Sequence, residues 1–336
     1  MEIGKFPASL LQQLLAKNSI QDPRVVLGPQ IGEDAAVLDM GERLLVVASD
    51  PVTFATDLIG WYAVQVNAND VACAGAPPRW FVATLLVPEG FSEGDAGAVF
   101  DQILEACQSV GATLIGGHSE VTYGIDRTII LGTMLGEVER EKLIRTGGAQ
   151  EGDSIVLTKG IAIEGTALLA RERAVALRAA GVPGETVEKA AGLLANPGIS
   201  VIKDARTACA SASVHSLHDV TEGGLAMGLR EVAQASGLGL AVEEGSIPVH
   251  PECEAVCRAL GLDPLGLLAS GALLVTLPAS EVPTLLAALE REGIDGWEIG
   301  QMLAPEEGLL LIGHEGEAPL PEFTRDELAR FFASSG

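Results

Sequence analysis

Residues 59–87 read IGWYAVQVNANDVACAGAPPRWFVATLLV. The stretch Ile59–Ala74 has a helical apolar pattern, Gly75 and the Pro77-Pro78 pair interrupt it, and Trp80–Val87 is an apolar run suited to a strand. Further apolar runs at Leu44–Ala48 and Thr128–Leu135 and a second helix-like stretch at Gly94–Val110 surround it. Strand and helix patterns that alternate in this way predict an α/β domain.

Residues Thr146–Gly152 read TGGAQEG, a polar, glycine-rich passage without periodicity, and Asp153–Thr158 then starts a new strand. A boundary close to residue 150 follows, dividing the chain into domains 1–150 and 151–336. The second half predicts helices at Ile163–Ala180, Glu185–Leu194, Ser200–Ser211 and Gly223–Ser236. Strands are predicted at Leu238–Glu243, Ala272–Leu277, Glu298–Met302 and Leu309–Ile312, and a short last helix closes the tail. This half is also mixed α and β. No repeat of 20 to 50 residues is visible.

The chain has 336 residues, enough for two cores, of which 48% are hydrophobic but only 4% aromatic. Its interior must therefore be built from Ala, Val, Leu and Ile. Forty glycines without a three-residue period exclude collagen and imply many turns. A formal net charge of −25 opposes phosphodiester backbones and anionic lipid, which argues against nucleic-acid and membrane-surface roles. A small anion escorted by Mg²⁺ stays compatible with that field. The longest apolar stretch, Leu265–Leu277, is broken by Gly266, Ser270, Gly271 and Thr276 and is too short to span a bilayer. The first nineteen residues read as an amphipathic helix without the basic start of a signal peptide, so a cytoplasmic location is expected. Cys73, Cys107, Cys209, Cys253 and Cys257 contain no CxxC pair and read as reduced, mostly buried small hydrophobes.

Three acidic passages stand where elements meet turns: Gly32-Glu33-Asp34-Ala35-Ala36, Ser49-Asp50-Pro51 and Asn67-Ala68-Asn69-Asp70. Asp34 precedes an apolar run and Asp50 ends one, so both sit at edges of buried structure, where a carboxylate needs a cation. Asp70 lies within the apolar helix and shares a face with Asn67, three residues earlier. Hard oxygen ligands from several turns suit Mg²⁺, which usually arrives with substrate phosphates, and the chemistry suggested is phosphoryl transfer. A hydrogen-bonded network that merely holds three loops is the alternative.

Gly116-Gly117-His118-Ser119-Glu120 reads as a loop in which His118 either contacts a phosphate or is hydrogen-bonded scaffolding, and Glu120 could complete a metal site. His218-Asp219-Val220-Thr221-Glu222-Gly223-Gly224 joins a strand to a helix; Thr221 can cap that helix, leaving its first amides open to an anion. Lys159, after the strand Asp153–Thr158, reads as a mobile, solvated charge. No GxxxxGK[ST] and no GxGxxG opening a helix after a strand is present, so phosphate would be held by metal, glycine amides and side chains.

Taken in order, GEDAAVL, SDPVTF, VNANDVACAGAPPRWF, GGHSEVT and HDVTEGGL resemble the AIR synthase superfamily of ATP-dependent enzymes over nearly the whole chain. Within it the sequence looks most like the HypE-related branch; aminoimidazole ribonucleotide synthetase, selenophosphate synthetase and thiamine-monophosphate kinase are the other branches considered. The resemblance implies an N-terminal α/β domain whose sheet forms a barrel with that of a second subunit, a C-terminal α+β domain, and ATP with Mg²⁺ near a cleft between them. It implies Asp34, Asp50 and Asp70 as metal ligands. Around the nucleotide it implies Asn67, supporting Asp70, together with Gly116, Gly117 and His118. Asp70, His118 and Asp219 are implied as the catalytic set. A homodimer, a small-molecule substrate and a metalloenzyme-maturation partner protein are further implications.

Two departures bear on that transfer. HypE proteins carry a C-terminal cysteine that is carbamoylated and then dehydrated to a thiocyanate, whereas this sequence ends Phe331-Phe332-Ala333-Ser334-Ser335-Gly336 and its last cysteine is Cys257. The cyanide-forming cycle is not expected in its usual form. The N-terminal Cys or Lys of selenophosphate synthetase has no counterpart apart from Lys5, which lies in a different context, and His118 replaces an acidic residue of the kinase branch. The expected activity is ATP-dependent phosphorylation of an amide- or carboxylate-like oxygen; the competing expectations are a nucleotide-binding maturation partner without catalysis and a thiamine-monophosphate kinase.

Overall fold

The computed structural model describes residues 6, 8–53 and 57–334; Lys5, Phe54 and Ser335-Gly336 lie outside the described residues. The chain opens with the helix α1 (Ala8–Leu15) and divides into two compact units. The N-terminal unit comprises Ile20–Pro29 and Asp34–Leu143, and the segment with α1 as far as Ser19, Gln30–Glu33 and Ile144 onward belong to the C-terminal unit. Glu33 shows why the short insert changes sides, since its carboxylate accepts the Thr146 and Gly147 amides at 3.2 and 3.1 Å.

The N-terminal unit is a mixed sheet of β1 (Val25–Leu27), β2 (Ala36–Asp39), β3 (Leu44–Ala48), β4 (Pro51–Val52), β5 (Pro78–Val87), β6 (Thr113–Val121) and β7 (Ile129–Val138). Its order is β1-β2-β3-β7-β5-β6, with β4 pairing to β7. Only β5 and β6 run parallel. Along β3 and most of β5 and β7, buried and partly exposed residues alternate, as expected of strands with one face under helices. The helices are α2 (Ile59–Cys73) and α3 (Glu93–Val110), and α2 packs between β7 and α3 with thirteen of its fifteen residues buried. Ser92 caps α3 by accepting the Asp95 amide. The sheet is open: β1 and β6 are its edges, and among the described residues it closes no barrel.

The C-terminal unit holds a second sheet: β8 (Asp153–Thr158), β9 (Ser216–Asp219), β10 (Gly239–Glu243), β11 (Leu273–Pro278), β12 (Gly296–Leu303), β13 (Leu309–Gly313) and β14 (Gly316–Pro319). The order is β14-β13-β10-β12-β8-β11-β9, antiparallel except between β10 and β13. Its helices are α4 (Ile163–Glu172), α5 (Ala174–Ala179), α6 (Gly184–Gly192), α7 (Ile202–Ser211), α8 (Gly224–Ser236), α9 (Pro251–Leu260), α10 (Val282–Arg291) and α11 (Glu327–Ser334). The helix predicted over Ile163–Ala180 is two, broken at Arg173, whose guanidinium lies 4.9 Å above the Phe332 ring. The core is aliphatic throughout, with Ile155, Leu157, Leu169, Leu225, Leu274 and Ile299 among its buried members. No helix among the described residues is long and apolar enough to cross a membrane.

Candidate functional site

Antiparallel register brings the first two acidic turns together. Ala36 pairs with Val47, so the turn before β2, with Asp34, and the turn after β3, with Asp50, leave the sheet at the same end. Helix α2 then fixes the Asp50 turn. The Asn67 Oδ1 accepts the Asp50 amide at 2.8 Å, and its Nδ2 donates to the Asp50 carbonyl at 3.2 Å and to the Ala63 carbonyl at 2.8 Å. Strand β7 holds the other side, because the Gly132 amide donates to the same Asp50 carbonyl and Ser49 Oγ donates to the Gly132 carbonyl.

Asp70 lies almost one turn beyond Asn67 on α2 and is buried. One further turn along stands Cys73, whose sulfur is within 4.8 Å of an Asp34 carboxylate oxygen. Thus Asp50, Asp70 and Asp34 follow one another along one side of α2: Asp50 is anchored at Asn67, Asp70 belongs to the helix, and Asp34 stands at Cys73. Asp70 is buried and Asp34 half-buried, whereas Asp50 is exposed rather than at the edge of buried structure that its sequence position suggests. Burial of the Asp70 carboxylate without a counter-charge is costly, and hard carboxylate oxygens are the donor type that Mg²⁺ takes. Asn67 differs from its expected role: its amide is engaged by Asp50 and Ala63, so it positions Asp50 rather than supporting Asp70. In the sequence Cys73 reads only as a core residue, Ser49 only as the neighbour of Asp50, and Gly132 carries no signal, because the roles of Ser49 and Gly132 arise from pairing across more than 80 residues.

The GGHSE segment is not a loop. Gly116, Gly117, His118, Ser119 and Glu120 lie inside β6, paired in parallel with Val82–Leu86 of β5. Gly117 serves that pairing, since a Cβ there would stand 1.9 Å from the Ala83 carbonyl oxygen. His118 is exposed, with Nε2 3.3 Å from Glu120 Oε2. The Thr122 hydrogen bond, and then His118, hold the Glu120 carboxyl below its usual range. Cross-strand register aligns His118 with Thr84, Leu131 and Pro51 on successive strands. Three strand spacings of about 4.8 Å put its backbone roughly 14 Å from that of Pro51. A single chain therefore does not bring His118 to the Asp50 turn.

In the C-terminal unit, Asp219 ends β9 and is buried, as is His218, whose Nε2 lies 3.0 Å from Glu231 on α8. That contact gives His218 a scaffolding role. Thr221 does not cap α8: the cap is Gly223, in the left-handed region at φ 82°, and its amide donates to Asp326 Oδ2 at 2.7 Å. The open anion site expected there is taken by a carboxylate of the chain itself. Lys159 is neither mobile nor solvated. It is buried, its Nζ donates to the Ser200 carbonyl at 2.6 Å and stands 3.4 Å from Asp204, and burial lowers its pKa against the opposing pull of Asp204. Glu164 and Asp326, which the sequence did not single out, are buried acids pushed up to about 7 and about 6, chiefly by desolvation.

Two domains of this topology, the first with two acidic turns set beside a buried helix that carries a third carboxylate, define a class that the sequence comparisons name. The chain belongs to the AIR synthase related proteins: the N-terminal domain of that family matches residues 32–138 and the C-terminal domain residues 150–311. It is similar to the carbamoyl dehydratase HypE of Cupriavidus necator, with 30% identity over 81% of this chain and 77% of that protein. Among solved structures, that of HypE in complex with ATP superposes with a TM-score of 0.68 at 24% identity, covering 90% of this chain and 92% of that one. The structure of a HypE–HypF complex gives 0.72 at 20% identity, covering 94% and 100%. These structural likenesses establish the shared fold.

Proposed function

We propose that this chain is an ATP- and Mg²⁺-dependent enzyme that phosphorylates an amide- or carboxylate-like oxygen, turning it into a leaving group, as part of HypE-like metalloenzyme maturation. One observation carries the reading: the Asp50 backbone is clamped to α2 at Asn67, Asp70 is buried on the same helix, and Asp34 stands at its Cys73. The likeness to a carbamoyl dehydratase and to a structure holding ATP supports it.

The residues fit the cation by the chemistry of their oxygen donors, so Asp34, Asp50 and Asp70 would hold Mg²⁺ with the nucleotide phosphates. The bound ion would supply charge neutralisation at the transferring phosphoryl group. The chain contributes pre-organisation. Asn67 and Gly132 hold the Asp50 turn from two elements, so that the backbone carrying its carboxylate is fixed before each turnover. Asp219, fixed at the end of β9 in the other unit, is proposed to act on the substrate or the nucleotide.

A homodimer formed through β6 belongs to the same proposal. That strand exposes eight of its nine residues, including Ile115 and Val121, along an open sheet edge, an arrangement that proteins normally cover. His118 and Glu120 on this edge would then face a second copy. A maturation-type partner protein is proposed by analogy with the HypE–HypF complex.

The test is calorimetric Mg-ATP binding by the wild-type chain and by Asp70→Asn, followed by ADP release in the presence of small carboxylates, amides and carbamoyl compounds. Binding weakened at least tenfold by Asp70→Asn, with substrate-stimulated ADP release, is expected. Tight binding without stimulated release would point to the non-catalytic partner instead, and unchanged affinity in Asp70→Asn would reject the site.

A further inference from the structure

The last described segment of the chain is fastened down at nearly every step. Leu320 donates its amide to the Leu309 carbonyl, and Arg230 on α8 donates to the Leu320 and Pro321 carbonyls. The Phe323 ring fills the space over Gly266, where a Cβ would meet it at 2.4 Å. Glu327 accepts the Asp263 amide at 3.1 Å, and Arg330 donates to the Gly261 carbonyl at 2.8 Å.

The most informative fastening is Asp326, which is 9% exposed. Its Oδ1 accepts the Leu328 amide at 2.7 Å and so starts α11. Its Oδ2 accepts the Gly223 amide at 2.7 Å, and it also takes a backbone hydrogen bond from Leu268. One carboxylate thereby holds two turns at one end of the second sheet. The first runs from Asp219 to Gly224 after β9, and the second precedes β11, which pairs antiparallel with β9. These turns are bound to each other through Ala269 N to Thr221 O and Val220 N to Ala272 O. Gly224 cannot be replaced there without strain, because its φ is 64° and a Cβ would stand 2.4 Å from the Leu265 carbonyl oxygen.

Charge-assisted hydrogen bonds from amides to a buried carboxylate are strong and directional, and they need no such partner merely to end a helix. Asp326 spends one oxygen on its own helix and the other on the turn that leads away from Asp219. We infer that the segment from Leu320 to Phe332 is a fixed strap, and that within it Asp326 is the positioning residue that sets the turn carrying Asp219 for phosphoryl transfer. This role rests on the nucleotide-dependent reading above. Its role runs through the backbone of Gly223 and Leu268, whose amides it accepts.

The test compares wild type, Asp326→Ala, Asp326→Asn and Phe332→Ala, all full-length. Three quantities are read: amide hydrogen exchange of residues 220–226, Mg-ATP affinity, and kcat of ADP release at saturating ATP with whichever compound stimulates the wild type. Asp326→Ala is expected to speed exchange in the turn on the order of tenfold. It should lower kcat about tenfold or more while nucleotide affinity stays within about twofold. Asp326→Asn keeps one acceptor oxygen, enough for the Gly223 amide or the Leu328 amide but not both, should fall between wild type and Asp326→Ala in kcat, and serves if the alanine variant does not fold. Phe332→Ala loosens the far end of the strap, away from the turn, and is expected to lower stability with kcat retained. Faster exchange at the turn with unchanged kcat in Asp326→Ala or Asp326→Asn would overturn the positioning role alone. A wild type that neither binds nor turns over Mg-ATP would overturn the proposed function and this role with it.

Discussion

The carboxamide of Asn67 bonds both backbone groups of Asp50, accepting its N–H at 2.8 Å and donating to its C=O at 3.2 Å. A side-chain amide that matches a peptide group in this way behaves as one more rung of pairing, here between a helix and a turn. Its consequence is geometric. The Asp50 turn cannot shift without breaking contacts to α2, and α2 also carries Asp70, three residues along.

Asn67→Ala should remove both bonds to Asp50 and the one to the Ala63 carbonyl. A stability loss of about 1–3 kcal/mol is expected from urea denaturation. Mg-ATP affinity should fall roughly tenfold, which corresponds to about 1.4 kcal/mol. A loss of stability with undiminished affinity would reduce Asn67 to a staple of the fold.

Gly132→Ala attacks the same clamp from the strand side. A Cβ there would lie 2.3 Å from Asn67 Nδ2 and 2.9 Å from Phe81 Cε2. The variant should reproduce the Asn67→Ala phenotype. The double variant should cost clearly less than the two single losses added together, because both break one shared contact. Additive losses in denaturation would show that the two residues act separately.

How much of this was legible follows from what the signals depend on. Strands β3 and β8 and helices α2 and α3 are legible within a residue, while β5 begins at Pro78 rather than Trp80 and β7 runs on to Val138 rather than ending at Leu135; aliphatic runs and periodicity are local properties. Strand β6 was read as a loop for a physical reason: Gly116-Gly117-His118-Ser119-Glu120 has neither β-branched residues nor alternation, and it is a strand because β5 pairs with it over eight residues. The acidic residues stand out in the sequence from type and position alone. What the sequence did not contain was their second layer: Gly132 and Ser49 behind Asp50, Asp326 behind Gly223, and the burial of Lys159 beside Asp204. Each depends on a partner at least 40 residues away.

The open edge predicts association. Ile115 and Val121 on β6 are 56% and 63% exposed, and Tyr123 just beyond is fully so. A wild-type dimer at micromolar concentration is expected in sedimentation velocity, and Ile115→Lys with Val121→Lys should shift it to monomer by placing charges in the pairing surface. A monomeric wild type would remove the dimer from the proposal, and a double variant that remains dimeric would move the interface off β6.

Stability should depend on pH through the two buried acids of the C-terminal unit. Burial raises the Glu164 carboxyl to about 7; the Ser270 hydrogen bond opposes this, and Asp326 and Glu222 add to it. Burial raises Asp326 to about 6, against the amides of Gly223, Leu328 and Leu268 and with a further push from Glu222. Unfolded, both titrate near 4. Between about pH 4 and pH 7 the folded chain therefore holds more protons than the unfolded one at these sites, so their contribution to stability falls as pH rises through that window. Glu164→Gln cannot ionise. It should match wild type near pH 4.5 and exceed its stability at pH 8 by on the order of 3 kcal/mol, with a shallower slope between, the remaining slope coming partly from Asp326. Denaturation curves at half-unit pH intervals measure this, and parallel profiles for variant and wild type would show that Glu164 keeps its ordinary carboxylate behaviour in the folded chain.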